Sequence, residues 1–514
     1  MESIFERPYH LPILAAYPAV FLYSRNVGQA AASGMVAPLA LMAAVAGVSY
    51  ALFRLAFGER SKAALAASAS VALFFSYGTM RDVSDALAPV WAGPALPLAY
   101  LAGWAASLIW IHGAEDRLDE AHALLNLAAL TLVILAVNDI VSAYYLDATT
   151  PEPPATGLSP ARMPHGRPDI YYIVLDSYPS QETLHRVFGY DNSGFLRELE
   201  ARGFYVAGKS RANYACTFLS LASSLNMDYM DGLVGPDVAD ASFYDYRAYL
   251  LPYRMIRDSA FERLMKSAGY MFISFRSGWG PTDHMTSADI EYGTSAALGN
   301  REFLDAFIRS TALRLLRPGR SDETRADILY TLDNLGEVAP MPGQKLVLAH
   351  IMSPHPPFYF DGDGMPAEGC GAGGEGCDLE ESKDRFVRQL SFVNVRTLAA
   401  VDEILANSET PPIIIIQGDH GTWSVGREFG SCFNESGLMD YSEGELDERM
   451  GILNAYHLPD GGDSGLYESM SPVNTFRWVS DYYMGQNLTL LPDRSRFSCW
   501  NMLPYRFREL GRVT

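Results

Sequence analysis

Two stretches of this chain carry side chains that can do chemistry together. The run Ile413-Ile414-Ile415-Ile416-Gln417-Gly418-Asp419-His420-Gly421-Thr422-Trp423 delivers a carboxylate and an imidazole side by side behind four β-branched residues. Such a run reads as a strand buried on both faces, and Gly418 and Gly421 let the chain turn sharply so that adjacent side chains converge. A second run, from Ile170 to Leu175, ends in Asp176. Two carboxylates and an imidazole at neighbouring strand ends suit one divalent ion, with Zn and Mn both compatible with these ligand types. Taken alone, the Asp-His pair is equally compatible with a hydrogen-bonded turn, so its meaning depends on its partners.

A third stretch runs from Asn213 through Cys216, Thr217 and Ser220 to Met227. Its Ser/Thr-rich start followed by apolar residues suits a helix N-terminus, where unpaired backbone N–H groups attract anions. A hydroxyl placed there beside an ion would lose its proton more easily and could attack phosphorus. Local capping is the alternative for any single Ser or Thr.

Elements able to position these groups follow from periodicity. Residues 270–275, 345–351 and 412–417 read as further strands, and 384–405 as a long amphipathic helix. Alternating helices and strands imply an α/β domain with a central, mostly parallel sheet flanked by helices. In such sheets ligands collect beyond the carboxyl ends of the strands. Asp176, the stretch from His350 to His355, and Asp419 with His420 all fall there.

The α/β part is preceded by something different in kind. Up to residue 146 the chain is rich in Ala, Leu and Val, with apolar stretches near 9–25, 35–57, 62–79, 88–112 and 121–146. Each is near the roughly 20 residues that span a bilayer, which predicts a transmembrane bundle of about five helices. The division expected is therefore a transmembrane domain at 1–146, a Pro-rich linker at 147–167 and an extracytoplasmic domain at 168–514. Arg60 and Lys62 make the most basic short loop, which belongs in the cytoplasm. An odd number of spans then puts the large C-terminal part outside a cell (inner) membrane that the chain crosses several times.

A net charge of −21 and the lack of a basic cluster argue against nucleic acid as a partner. All five cysteines, Cys216, Cys370, Cys377, Cys432 and Cys499, lie in the C-terminal part, where an extracytoplasmic location permits disulfides. Cys370 with Cys377 and Cys432 with Cys499 are candidate pairs, which leaves Cys216 single; pairing is not deducible from spacing.

Together these residues resemble the alkaline phosphatase superfamily, in particular its membrane-bound sulfatase-like branch, which includes lipoteichoic acid synthase and the phosphoethanolamine transferases. The resemblance runs from about residue 167 to the end and rests on PDIYYIVLDSY, NYACTFLSLASSLNM, HIMSPHPPF, IIIIQGDHGTWS, ERMGILNAYHLP and SPVNTFRWVSDYY. It implies that Asp176, Asp419 and His420 hold the catalytic ion, with Thr217 as nucleophile and further ligand; His185, His284, His350, His355 and His457 form no evident second-site motif, so one ion is expected. His355 resembles a family histidine that contacts the substrate phosphate or protonates the leaving oxygen, and His350 would assist it. Asn394, Arg276 and Trp279 are further candidates for substrate contact, though packing or surface roles are the reading favoured for them.

The resemblance also implies a membrane phospholipid as donor and a glycan or lipid as acceptor. Sulfate ester hydrolysis is the less favoured activity. Sulfatases need a Cys or Ser followed by Pro or Ala and then Arg, whereas Cys216 is followed by Thr217, Phe218, Leu219 and Ser220. The expected activity is transfer of a phospholipid headgroup through a phospho-threonine. The rivals are hydrolysis of a phosphoester or sulfoester, and a catalytically silent binding module on a membrane anchor.

Overall fold

The computed structural model describes residues 7–87, 89–114, 118–149, 166–231, 247–294, 301–316, 321–367, 378–423, 438, 440–499 and 502–511. Five helices come first: α1 (His10–Ser24), α2 (Val36–Phe57), α3 (Arg60–Leu87), α4 (Pro89–Gly113) and α5 (Leu118–Thr149). Next come β1 (Ile170–Leu175), α6 (Gln181–Phe188), α7 (Ser193–Ala201), β2 (Tyr205–Val206), α8 (Thr217–Asn226), α9 (Arg247–Arg257), α10 (Ala260–Ser267), β3 (Met271–Phe275), α11 (Gly280–Asp283) and β4 (Ile290–Tyr292). The remainder holds α12 (Arg301–Ser310), α13 (Ser321–Asn334), β5 (Lys345–Ile351), α14 (Leu379–Asn407), β6 (Ile413–Gly418), α15 (Glu443–Met450), β7 (Asn454–His457), α16 (Pro472–Met484), β8 (Arg496–Cys499) and β9 (Leu503–Glu509).

By its internal contacts the chain divides into two units, Met1–Thr149 with Ala297–Pro318, and Thr150–Ala296 with Gly319–Thr514. In the first, four stretches among the described residues are long and apolar enough to cross a membrane: Ala32–Phe57, Arg60–Ser84, Ala95–Gly113 and Leu118–Thr149. The expectation of about five spans is reduced by length alone. Helix α1 has 15 residues, and at ~1.5 Å per residue its ~22 Å falls short of a ~30 Å hydrocarbon core.

Helices α1 and α5 run side by side in the same direction. His10 bonds to His122 near both starts, and the Tyr23 and Tyr144 hydroxyls meet at 2.6 Å near both ends. The first of these contacts belongs to a buried polar chain through three helices. Ser68 Oγ lies 2.7 Å from His10 Nδ1, His10 Nε2 lies 2.7 Å from His122 Nδ1, and His122 Nε2 lies 2.5 Å from Ser61 Oγ.

The second unit is built on a seven-stranded sheet of order β2-β7-β6-β1-β5-β3-β4. Its strands from β6 to β4 run parallel, and at the other edge β7 runs antiparallel to β6 and β2 antiparallel to β7. Every residue of β1, β5 and β6 is buried, as β-branched and aromatic runs covered on both faces require. Alternation sorts the side chains between two apolar layers. Tyr172 and Val174 pack with Leu219, Ala222, Phe261 and Phe476 on one face, and Ile173 and Leu175 with Leu390, Val393 and Val401 of α14 on the other.

Register does the positioning. Leu175 is level with Ile351 of β5 and with Gly418 of β6, so the chain leaves all three central strands at one height and Asp176 emerges beside Asp419. The linker expected at 147–167 and the loop at 361–379 lie largely outside the described residues, as do Cys370, Cys377 and Cys432. Cys499 is disulfide-bonded, and Cys216 is free and buried.

Candidate metal and phosphate site

Asp176, Asp419 and His420 converge at the carboxyl end of the sheet, all buried, each offering one ligand atom within 4.8 Å of the others. The glycines around His420 act differently from the sequence reading. Neither has a left-handed φ. They are small because backbone crowds them: a Cβ on Gly418 would collide with the Tyr178 carbonyl oxygen, and one on Gly421 with the carbonyl oxygens of Glu448 and Gly451.

The left-handed residue is Ser177, at φ 62, a conformation that costs a side-chain-bearing residue about 1 kcal/mol or more. Two bonds offset that strain. The Ser177 N–H donates to Asp419 Oδ1 at 3.0 Å, and its hydroxyl donates to the Gly421 carbonyl at 3.1 Å. Ser220 of α8 donates to the Asp419 carbonyl at 2.6 Å, which ties the helix bearing Thr217 to the loop bearing the ligands.

The Gly421 carbonyl also decides how His420 presents itself. A carbonyl only accepts, so His420 Nδ1, 2.9 Å away, carries the proton, and Nε2 keeps its lone pair. Burial, followed by the charge of Arg449, holds His420 down to about 4, so the imidazole is neutral at neutral pH. Its Nε2 lies 3.4 Å from Asp419 Oδ2 and 3.7 Å from Asp176 Oδ1. Both carboxylate oxygens are buried without a hydrogen-bond partner. Three acceptors thus face one another in a desolvated space, an arrangement that is costly until a cation fills it. The donor set fits a divalent metal.

Thr217 is the first residue of α8, and its Oγ1 lies 3.2 Å from His420 Nε2. With that nitrogen unprotonated, the hydroxyl donates. The helix N-terminus behind it supplies backbone N–H groups and a partial positive charge, which suit an anion. Cys216, its neighbour, is a different case. Burial pushes the Cys216 thiol up to about 12, so it stays protonated and is a poor nucleophile.

Two histidines stand around Asp176. His355 donates its backbone N–H to the Asp176 carbonyl at 3.0 Å, and its ring centroid lies 6.2 Å from that of His420. Gln389 of α14 holds this loop by donating to the Pro354 carbonyl at 3.0 Å. His350 Nε2 lies 3.5 Å from Asp176 Oδ2, with its Nδ1 2.8 Å from Thr282 Oγ1. Burial would push the Asp176 carboxyl up, but His355, His350 and His420 outweigh it and hold the group well below the usual carboxylate range.

The other candidates are placed as follows. Trp279 stands edge-on to the His350 ring at 5.4 Å. Arg276 pairs with Asp283 at 3.0 Å. The Asn394 side chain accepts from the Tyr178 hydroxyl at 2.6 Å and donates to Asn192 at 2.8 Å, in a network beneath the Asp176 loop.

Arg449 escaped the sequence reading. It is 5% exposed, donates Nε to the Ala215 carbonyl at 2.7 Å and Nη1 to the Gly421 carbonyl at 3.0 Å. It therefore joins the segment before Thr217 to the segment after His420. The only signal for it was a lone arginine at the head of the apolar run in ERMGILNAYHLP.

No protein-family model matches the chain, and no curated protein matches it. Similar solved structures include the C-terminal periplasmic domain of EcEptC from Escherichia coli, at 13% identity and a TM-score of 0.43, covering 68% of this chain and 93% of that one. Another is the integral membrane protein lipooligosaccharide phosphoethanolamine transferase A from Neisseria meningitidis, at 12% identity and a TM-score of 0.43, covering 92% and 95%. A third is the phosphonate monoester hydrolase of Agrobacterium radiobacter, at 13% identity and a TM-score of 0.40, covering 64% and 80%. Likenesses this distant carry no conclusion about what this chain acts on.

Proposed function

We propose that this chain is a membrane-anchored, metal-dependent transferase that moves a phospholipid headgroup, of phosphoglycerol or phosphoethanolamine type, through a phospho-threonine to a glycan or lipid acceptor at the cell envelope. The observation that carries the reading is the Thr217 hydroxyl, on a helix N-terminus, 3.2 Å from His420 beside two buried carboxylate oxygens without partners. Asp176, Asp419, His420 and Thr217 would hold one divalent ion, Zn or Mn. When bound, that ion supplies positive charge that eases loss of the Thr217 proton and offsets charge gathering on the phosphate oxygens.

The residues of the chain do the rest. Thr217 Oγ1 gives up its proton to solvent and forms a bond to phosphorus as the bond from phosphorus to the diacylglycerol oxygen breaks. His355 gives that departing oxygen its proton, so diacylglycerol leaves as a neutral alcohol. An acceptor hydroxyl then attacks the phospho-threonine as the bond from phosphorus to Thr217 Oγ1 breaks; the acceptor's proton passes to His355, and Oγ1 takes a proton back from solvent, which restores Thr217. His350 keeps Asp176 oriented and Trp279 packs against His350, while Asn394 and Arg276 act as packing groups through their bonds to Tyr178, Asn192 and Asp283.

Topology supports an extracytoplasmic site. Arg54, Arg60 and Lys62 flank the turn between α2 and α3, which assigns that turn to the cytoplasm. Counting forward, α3, α4 and α5 make three crossings, so Thr149 ends outside whether or not α1 spans. The test is headgroup release from vesicles of phosphatidylethanolamine or phosphatidylglycerol. Thr217→Ala should lower turnover by on the order of 10³-fold or more. Full activity in that variant would sink the scheme.

A further inference from the structure

We infer that α12 and the turn that follows it form a second membrane anchor, which holds the α/β part of the chain to the helical bundle independently of the linker after α5. In sequence, Arg301–Ser310 lies between β4 and α13 and so belongs to the soluble half. In contacts, it belongs with the membrane helices. Phe307 is fully buried among Ala15 and Ala19 of α1, Met42 and Ala46 of α2, and Val71 of α3. Phe303 is 3% exposed, edge-on to Tyr23 of α1 with ring centroids 6.2 Å apart.

Three of those five contact residues are alanines, which let a foreign helix approach closely where lipid offers no hydrophobic drive for association. Gly78 of α3 completes the seat. A Cβ there would collide with the carbonyl oxygen of Arg309 and the backbone of Ser310, so the end of α12 lies directly on α3 only because that position is glycine. Arg314 then pairs with Asp82 of α3 and donates to the Gly78 carbonyl at 3.4 Å. Leu315 and Leu316 remain 55% and 80% exposed, as suits side chains set among lipid.

These contacts run from mid-bundle, at Ala15 and Val71, to one end of it, at Tyr23, Gly78 and Asp82. Tyr23 meets Tyr144 there, so this is also the end where α5 finishes.

The test needs the full chain in native membranes with a protease site inserted between Thr149 and Gly166. After cleavage and a high-salt wash, the C-terminal fragment of the wild type should sediment with the membranes. It should appear in the supernatant for Phe303→Ser with Phe307→Ser, and equally for Gly78→Leu. The last variant alters only a membrane helix, so release in that case cannot come from an unfolded α/β domain. Release of the wild-type fragment on cleavage would overturn the proposal, as would retention of the fragment in both variants.

Discussion

In the helical unit, His10 and His122 lie in a buried chain whose ring nitrogens all have partners within 2.5 to 2.7 Å. In the α/β unit, His420 is equally buried, but the oxygens it faces, Asp176 Oδ1 and Asp419 Oδ2, have no hydrogen-bond partner at all. Burial and histidine are common to both clusters; what separates them is whether the polar atoms are satisfied. A closed set of donors and acceptors needs nothing from outside and serves to join helices, whereas a set made of acceptors alone asks for a cation. A histidine beside polar groups is thus informative about binding only when the protons are counted.

Changing one member of each cluster should therefore have opposite consequences. The largest effect is expected from Asp419→Asn, which keeps an oxygen for the Ser177 N–H but removes one charge from the acceptor set. Bound divalent metal, measured by elemental analysis, should fall below stoichiometry and turnover should drop about 10²-fold or more, while the metal-free protein melts no lower than wild type. A large loss of thermal stability would mean that Asp419 is structural.

Next in size is a pH effect on chelator-treated protein. His420 is held neutral in the fold at about 4 against 6.5 for the free group, so the unfolded chain binds its proton first as pH falls. The stability is fully present above pH 6.5 and is lost on descending toward 4, by about 3 kcal/mol. Glu262 works in the opposite direction, because burial pushes its carboxyl up to about 7. The quantity to measure is accordingly the difference between wild type and His420→Gln in denaturant titrations. A difference that does not change across that window contradicts the assignment.

The smallest effect belongs to the helical cluster. His122→Ala leaves His10 Nε2 and Ser61 without partners and should destabilise the detergent-solubilised bundle by about 1–3 kcal/mol, with turnover per folded molecule unchanged. Lost turnover at unchanged stability would make the His10–His122 chain part of the chemistry.

Much of the site was legible in sequence because it is local. The runs before Asp176 and Asp419 are β-branched and bounded, and both strands formed within a residue of their expected limits. What stayed hidden depends on distance along the chain. Arg301–Ser310 reads as any amphipathic helix, and nothing local says that Phe307 packs on alanines of α1 and α2 some 260 residues or more earlier. Arg449 was missed for the same reason, since its two carbonyl partners come from segments near residues 215 and 421. Gly418 and Gly421 were noticed for the wrong cause. Turning freedom is a property of the residue, whereas the crowding that requires them belongs to Tyr178, Glu448 and Gly451.

The central claim is that Thr217 carries the transferred group. Purified full-length protein should be mixed with phosphatidylethanolamine or phosphatidylglycerol vesicles without acceptor, quenched in acid and mapped by peptide mass spectrometry. The account predicts a peptide containing Thr217 heavier by the phosphorylated headgroup of whichever lipid was supplied, and no adduct in Thr217→Ala. An unmodified Thr217 peptide from protein that is turning over donor, or an adduct on another residue, would contradict it.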